Sequence, residues 1–317
     1  MKVQSENNNI SHLKLKSKIS IIILFCSFLL SCTKGATGNE PDDISNTSKD
    51  SLIIDTPILS KDFSVALFFN FTQNHNQPDE GFAVYGNYAF ALFAKGVCDI
   101  YDLNTKKFVN GFNLGSYSSS NHANVADFGV EFPEGNSDFP AFYVSECTGE
   151  KRCFVEDISL TGSKLIQTIS LSSKKSGKGW TDWAVDRDNQ LLYCLTEISG
   201  TGDTNYNILV FNLPKLSESN VKFTDDDLLD NWSIEEKGTT QGLFVRNGYM
   251  YFPMSSGSGL TGCVLYIMDL KNQNHEISTI NLGSNFTNRE CEDLYLYKNY
   301  FLINFQRSGV YSFINKK

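Results

Sequence analysis

A short pattern of apolar and polar positions returns along the chain. An apolar strand closes on Asp, Asn or Ser followed by Leu: CDIYDLNT at Asp102-Leu103, CFVEDISLT at Ser159-Leu160, NILVFNLPK at Asn212-Leu213 and LYIMDLKN at Asp269-Leu270. The leucines stand 57, 53 and 57 residues apart, and a weaker copy, GVYSFI at Ser312-Phe313, follows 43 residues later. A fixed period of this size marks a repeat architecture. After three of these copies comes another strand, ending at Leu114, Leu171 and Leu282. Ahead of them come hairpins of one design: EGFAVYGNYAFALF from Glu80, QGLFVRNGYMYFP from Gln241 and EDLYLYKNYFLIN from Glu292. GWTDWAVDRDNQLLYCL from Gly179 turns on Asp-Asn, and NHANVADFGVEF…FPAFYVSEC from Asn121 has a longer loop. Alternation around Asn/Gly turns is the hairpin signal.

Each repeat therefore carries four strands, and there are about five repeats. The pattern resembles an all-β, five-bladed β-propeller with four-stranded blades. The last repeat ends at Ile314 after three strands, while the strand at 63–71 has no repeat of its own. That N-terminal strand is expected to complete the last blade and close the ring, leaving no long open edge. The alternative, a β-sandwich, accounts for neither the spacing nor the orphan strand. The stretch from Leu216 to Trp232 breaks the pattern. Thr224 ahead of three aspartates reads as an N-cap, so a short helix is expected inside a long loop.

The N-terminus reads as an address. Lys14, Lys16 and Lys18 precede an apolar run from Ile19 to Leu30, too short to span a bilayer. The run ends Leu29-Leu30-Ser31-Cys32, which resembles the lipobox of bacterial lipoproteins. The resemblance implies removal of 1–31 and lipidation of Cys32, and more than one acyl chain makes an anchor stable. Thr33 to Asp50 is polar and nearly free of large apolar residues, so 32–60 is expected to be a flexible linker and 61–317 the folded domain. Gram-negative sorting reads an Asp after the lipidated Cys as retention in the inner membrane. Thr33 stands there, which implies the outer membrane.

Charge narrows the partners. The chain carries 27 basic and 36 acidic residues, net −9, and without 1–31 the balance is −12. No basic cluster follows Lys18, which argues against nucleic acid as a partner. No CxxC and no Cys/His spacing suggests a metal site, and there is no GxSxG, Walker or Rossmann fingerprint, so no cofactor is expected. Cys147 and Cys153 flank a five-residue loop between apolar strands, where a disulfide is expected. Cys98, Cys194, Cys263 and Cys291 sit in strands as small buried apolar residues.

In a propeller the innermost strands begin at one mouth of a central channel. Those starts carry Glu80, His122 with Asn124, Trp180 with Asp182, Gln241, and Arg289-Glu290 with Glu292. Convergent polar groups in a concavity make a ligand site. Trp180 offers a stacking face to a sugar and the carboxylates and amides could hold hydroxyls; equally, such channels are filled by side-chain networks, with Arg289 neutralising Glu290 or Glu292. Together with the lipobox and spacing, NHAN (121–124), FPAFYVS (139–145) and ECEDLYLY (290–297) resemble propeller-type lipoproteins of Gram-negative cell envelopes. The resemblance implies a tethered binding module for a glycan, peptide or protein. The alternative is a carbohydrate-active enzyme using a carboxylate pair drawn from Glu80, Asp182, Glu290 and Glu292.

Overall fold

The computed structural model describes residues 58–316, apart from 74, 135–136, 200–204, 236–237, 256–261, 273, 283–285 and 287–288. The signal segment, Cys32 and the linker up to residue 57 lie outside the described residues. Strand β1 (Phe63–Phe69) leads into five small sheets that form a five-bladed β-propeller. Blade 1 is β2 (Asp79–Tyr85), β3 (Tyr88–Phe93), β4 (Val97–Asp102) and β5 (Lys107–Asn113). Blade 2 is β6 (Ala126–Phe128), β7 (Phe142–Ser145), β8 (Cys153–Ile158) and β9 (Ser163–Leu171). Blade 3 is β10 (Thr181–Asp186), β11 (Leu191–Glu197), β12 (Asn205–Asn212) and, after β13 (Asn220–Phe223), β14 (Asp230–Glu235).

Blade 4 has a split inner strand, β15 (Thr239–Thr240) and β16 (Phe244–Arg246), followed by β17 (Tyr249–Ser255), β18 (Val264–Asp269) and β19 (Ile277–Asn281). The split lies beside Pro253 of β17, which has no N–H to give the ladder. Blade 5 is β20 (Cys291–Tyr297), β21 (Tyr300–Phe305) and β22 (Gly309–Asn315), and β1 supplies its fourth strand. The closing register runs antiparallel from Phe63↔Asn315 to Phe69↔Val310. The clasp begins earlier than residue 61. Leu59 is buried in the core, and Ser60 N–H donates to Asn315 Oδ1, whose own amide donates to Ile58 O.

Burial follows position in the blade. The inner strands β2 and β10 are buried on both faces, whereas the outer strand β5 alternates exposed and half-buried. Aromatic rings fill the space between blades, among them Phe82, Phe90, Phe128 and Phe142. The insertion after β12 holds more than the expected helix. Asp225–Asp227 form one 3-10 turn, capped reciprocally by Thr224 and Asp227. Ahead of it, β13 leaves its own blade and adds to β9 of blade 2 as a parallel fifth strand. It carries Phe223 onto Phe211, ring centroids 4.2 Å apart, beside Trp183. One blade therefore has five strands where four are expected.

The inner strands approach one another closely. Gly81 N–H donates to Ala123 O of the next blade at 3.0 Å, and a Cβ on Gly81 would sit 2.8 Å from that oxygen. Two buried carboxylates staple the hub. Asp293 accepts from the N–H of Phe82, Ala126 and Leu294, and so ties blade 5 to blades 1 and 2. Asp127 accepts from the N–H of Val185 and Phe128 and from Tyr295 Oη, tying blade 2 to blades 3 and 5.

Candidate functional site

The starts of the inner strands meet at one mouth of the hub. Two of them carry matching β-bulges: the ladder slips between Asp79 and Phe82 in β2 and between Cys291 and Leu294 in β20. A bulge re-aims the side chains within it. Here those are Glu80 and Glu292, both almost wholly buried. His122 Nε2 lies 3.3 Å from Glu80 Oε2. Asn124 Nδ2 donates to both oxygens of Asp182, at 3.0 and 3.1 Å. Gln241 Nε2 donates to Ser255 Oγ at 2.8 Å and to Glu290 Oε1 at 3.3 Å, and Gln306 Nε2 donates to Glu290 Oε2 at 3.2 Å. Glu292 Oε1 is buried with no hydrogen-bond partner.

Five acids thus share a poorly hydrated space. Burial, followed by the nearby carboxylates of Asp79, Glu290 and Asp182, raises Glu80 to about 8. Burial also raises Glu292 well above the usual carboxylate range, with Glu80, Glu290 and Asp79 adding to it. Asp182 is raised by burial to about 7, although Asn124, Cys147 and Thr240 hydrogen-bond to it and oppose the shift. Asp79 and the half-buried Glu290 are raised for the same first reason. Burial lowers His122, so its imidazole is the neutral form at pH 7. At neutral pH Glu80 is therefore mostly protonated and Asp182 about half so. Protonated carboxyls donate as well as accept hydrogen bonds.

The residues named from the strand starts take different positions. Glu80, Asn124, Asp182 and Glu292 form the buried floor, while His122, Gln241 and Glu290 stay partly accessible above it. Trp180, two residues before Asp182 in the chain, has 39% of its surface exposed, and its backbone oxygen accepts from Glu197 N–H. Arg289 does not neutralise Glu290 or Glu292. Among the described residues its side chain forms no ion pair, and it lines a cleft between blades 1 and 5. Asp79, Thr240, Ser255 and Gln306 were missed. Asp79 was legible as the neighbour of Glu80, but Ser255 and Gln306 sit at the far ends of second strands, where counting strand starts does not reach.

The expected Cys147–Cys153 disulfide is not formed, and all six described cysteines are free thiols. Cys153 pairs with Ser145 across the β7–β8 ladder and packs in the core beside Trp183. Cys147 lies two residues past that partner in a left-handed conformation, φ 65°. Its backbone bridges to Thr181 and its thiol hydrogen-bonds Asp182 in the mouth. The turn sends the two sulfurs to different places. The thiols in contact are instead Cys263 and Cys291, hydrogen-bonded between blades 4 and 5. Alkylation after unfolding without reductant, followed by peptide mass mapping, is expected to label both Cys147 and Cys153. A linked 147–153 peptide would overturn this arrangement.

No protein-family model matches the chain. No curated protein matches it either. Solved structures do, through their fold. A tail fibre of Staphylococcus aureus phage P68 superposes with a TM-score of 0.50 at 11% identity, over 80% of this chain and 53% of that one. A structural-genomics protein of unknown function from Bacteroides thetaiotaomicron gives 0.44 at 13%, over 80% and 76%. Kuenenia stuttgartiensis hydrazine synthase gives 0.39 at 13%, over 71% and 61%. The chain spans about half of the tail fibre's length and about three fifths of the hydrazine synthase chain. At these identities the likeness is one of fold alone.

Proposed function

We propose that this chain is a tethered extracytoplasmic binding module that holds a glycan at the channel mouth without turning it over. Cys32 is its lipid anchor and the outer membrane its site. The observation that carries the reading is the hydrogen-bonded floor of buried acids and amides at the strand starts, two residues along the chain from the part-exposed Trp180. An indole face suits the apolar side of a sugar ring, and groups that both donate and accept suit its hydroxyls. The fixed network reduces what must be ordered on binding.

The test is a thermal-shift screen of the full chain in detergent against a glycan set, with product analysis on each hit. Stabilisation by roughly 2 kcal/mol or more is expected once ligand exceeds Kd about a hundredfold. Trp180→Ala should abolish it, and no products should form. Absence of any shift would argue against a glycan ligand at the mouth. A second reading rests on Glu80. Raised to about 8, it suits a general acid, and the more accessible Glu290 would be its partner in a glycoside hydrolase. Products that vanish in Glu80→Gln would favour that reading. The anchor is tested separately, by mass spectrometry of the mature N-terminal peptide, which should begin at an acylated Cys32.

A further inference from the structure

We infer that the cleft between blades 1 and 5 is a second ligand site, built for a sugar bearing a carboxylate. The cleft has a volume of about 630 Å³, enough for one or two sugar rings. Its walls come from Asn70, Phe71, Gln73, His75 and Gln77 between β1 and β2, from the start of β2, from Arg289 ahead of β20 and from the β21–β22 turn.

Three features define the ligand. Arg289 and Arg307 both line the cleft, and neither forms an ion pair among the described residues. Arg307 acts electrostatically on Asp79 without a salt-bridge contact, and guanidinium groups not held in a salt bridge can take a carboxylate in a planar, bidentate way. They stand out in a chain of net charge −9. The amides of Asn70, Gln73 and Gln77 bring both donors and acceptors, and Gln77 Oε1 is buried without a partner. Those are groups that recognise hydroxyls. Phe71, Phe93 and Tyr311 add ring faces and edges on which a pyranose can lie.

The one carboxyl in the lining does not oppose an anion. Asp79 Oδ1 accepts from Arg307 N–H at 2.8 Å, and Oδ2 is buried and unpartnered. Burial raises this acid, opposed by the backbone N–H and the guanidinium charge of Arg307. His75 is fixed by Asp99, with Nε2 2.9 Å from Oδ2, which leaves Nδ1 as the ring's remaining polar atom. Asp79 borders both this cleft and the mouth, but the arginines, amides and rings of the cleft are other than Trp180, Asp182 and Glu292.

Calorimetric titration of the full chain in detergent tests it with three probes: a hexuronate disaccharide, its neutral hexose counterpart and inorganic phosphate. The uronate should bind at least tenfold tighter than the neutral sugar. Arg289→Gln and Arg307→Gln should each weaken it tenfold or more, with melting temperatures close to the parent. Raised salt should weaken it as well. Equal binding of the neutral sugar would overturn the proposal, as would indifference to both arginine variants. Phosphate binding as tightly as the uronate would reduce the cleft to a simple anion site and overturn the sugar assignment. Uronate binding lost in Trp180→Ala but kept in both arginine variants would place that sugar at the mouth instead.

Discussion

The melting temperature is expected to climb by on the order of 10 °C as pH falls from 9 to 5, the reverse of common acid destabilisation. The cause is the set of raised carboxyls at the hub. In the unfolded chain Asp and Glu titrate near 4. Folded, Asp182 and Asp127 titrate at about 7, Glu80 at about 8 and Glu292 well above its ordinary range, burial being the first cause in each. Between these values the folded state holds protons that the unfolded state has released. Their contribution to stability is complete below about 4 and is lost as pH rises through 7 and 8. Each unit of separation is worth about 1.4 kcal/mol, so even a fraction of these shifts gives several kcal/mol. Glu292→Gln keeps the shape, removes one acid and relieves Glu80 of a neighbouring charge. It is expected to raise the melting temperature at pH 8.5 by roughly 3–6 °C and to flatten the pH profile. Scanning calorimetry at half-unit steps would decide. A melting temperature that falls steadily on acidification would sink the argument.

The second large effect belongs to Asp293. Its carboxylate takes three backbone N–H groups, from Phe82, Ala126 and Leu294, at 2.9, 3.2 and 2.8 Å. All lie in the buried hub, where water cannot replace a lost acceptor. Asp293→Ala leaves three donors without partners, each costing about 1–3 kcal/mol, so a loss of about 3–9 kcal/mol is expected. Asp293→Asn keeps an acceptor but turns an NH2 group toward a donor, and about half that loss is expected. Urea unfolding of the two variants measures both. Losses under about 1 kcal/mol in Asp293→Ala would show that the blades hold together without this staple.

Much of the ring was readable because its cause is local. Leu103, Leu160, Leu213 and Leu270 recur because each stands just past the third strand of its blade. The need to pair an orphan edge made β1 legible as the partner of β22. Strand β13 was not legible, since its parallel pairing with β9 is a choice of neighbour, and alternation along four residues does not record it. The candidate mouth was read from strand starts, which named Glu80, Asn124, Asp182 and Glu292 as ligand-facing groups without foreseeing their burial. It could not find Ser255 or Gln306, which arrive from second strands. Nor could it see that a left-handed residue at Cys147 parts it from Cys153, or that Arg289 turns to a neighbouring cleft. Those outcomes depend on backbone dihedrals and on pairs far apart in sequence.

The closing clasp also sets an order of events for a chain made from its N-terminus. Strand β1 is synthesised first and β22 last, and Ser64 and Ile314, hydrogen-bonded across the seam, are 250 residues apart. Four blades can assemble as they emerge, but β1 waits for the final residues before it has anything to pair with. Until then a strand carrying Leu67 with Phe63, Phe68 and Phe69 is an open edge on a growing chain. Closing so long a loop makes the seam a late step, slow relative to the hairpins within each blade. A chain cut short before Gly309 would therefore be damaged at both ends at once.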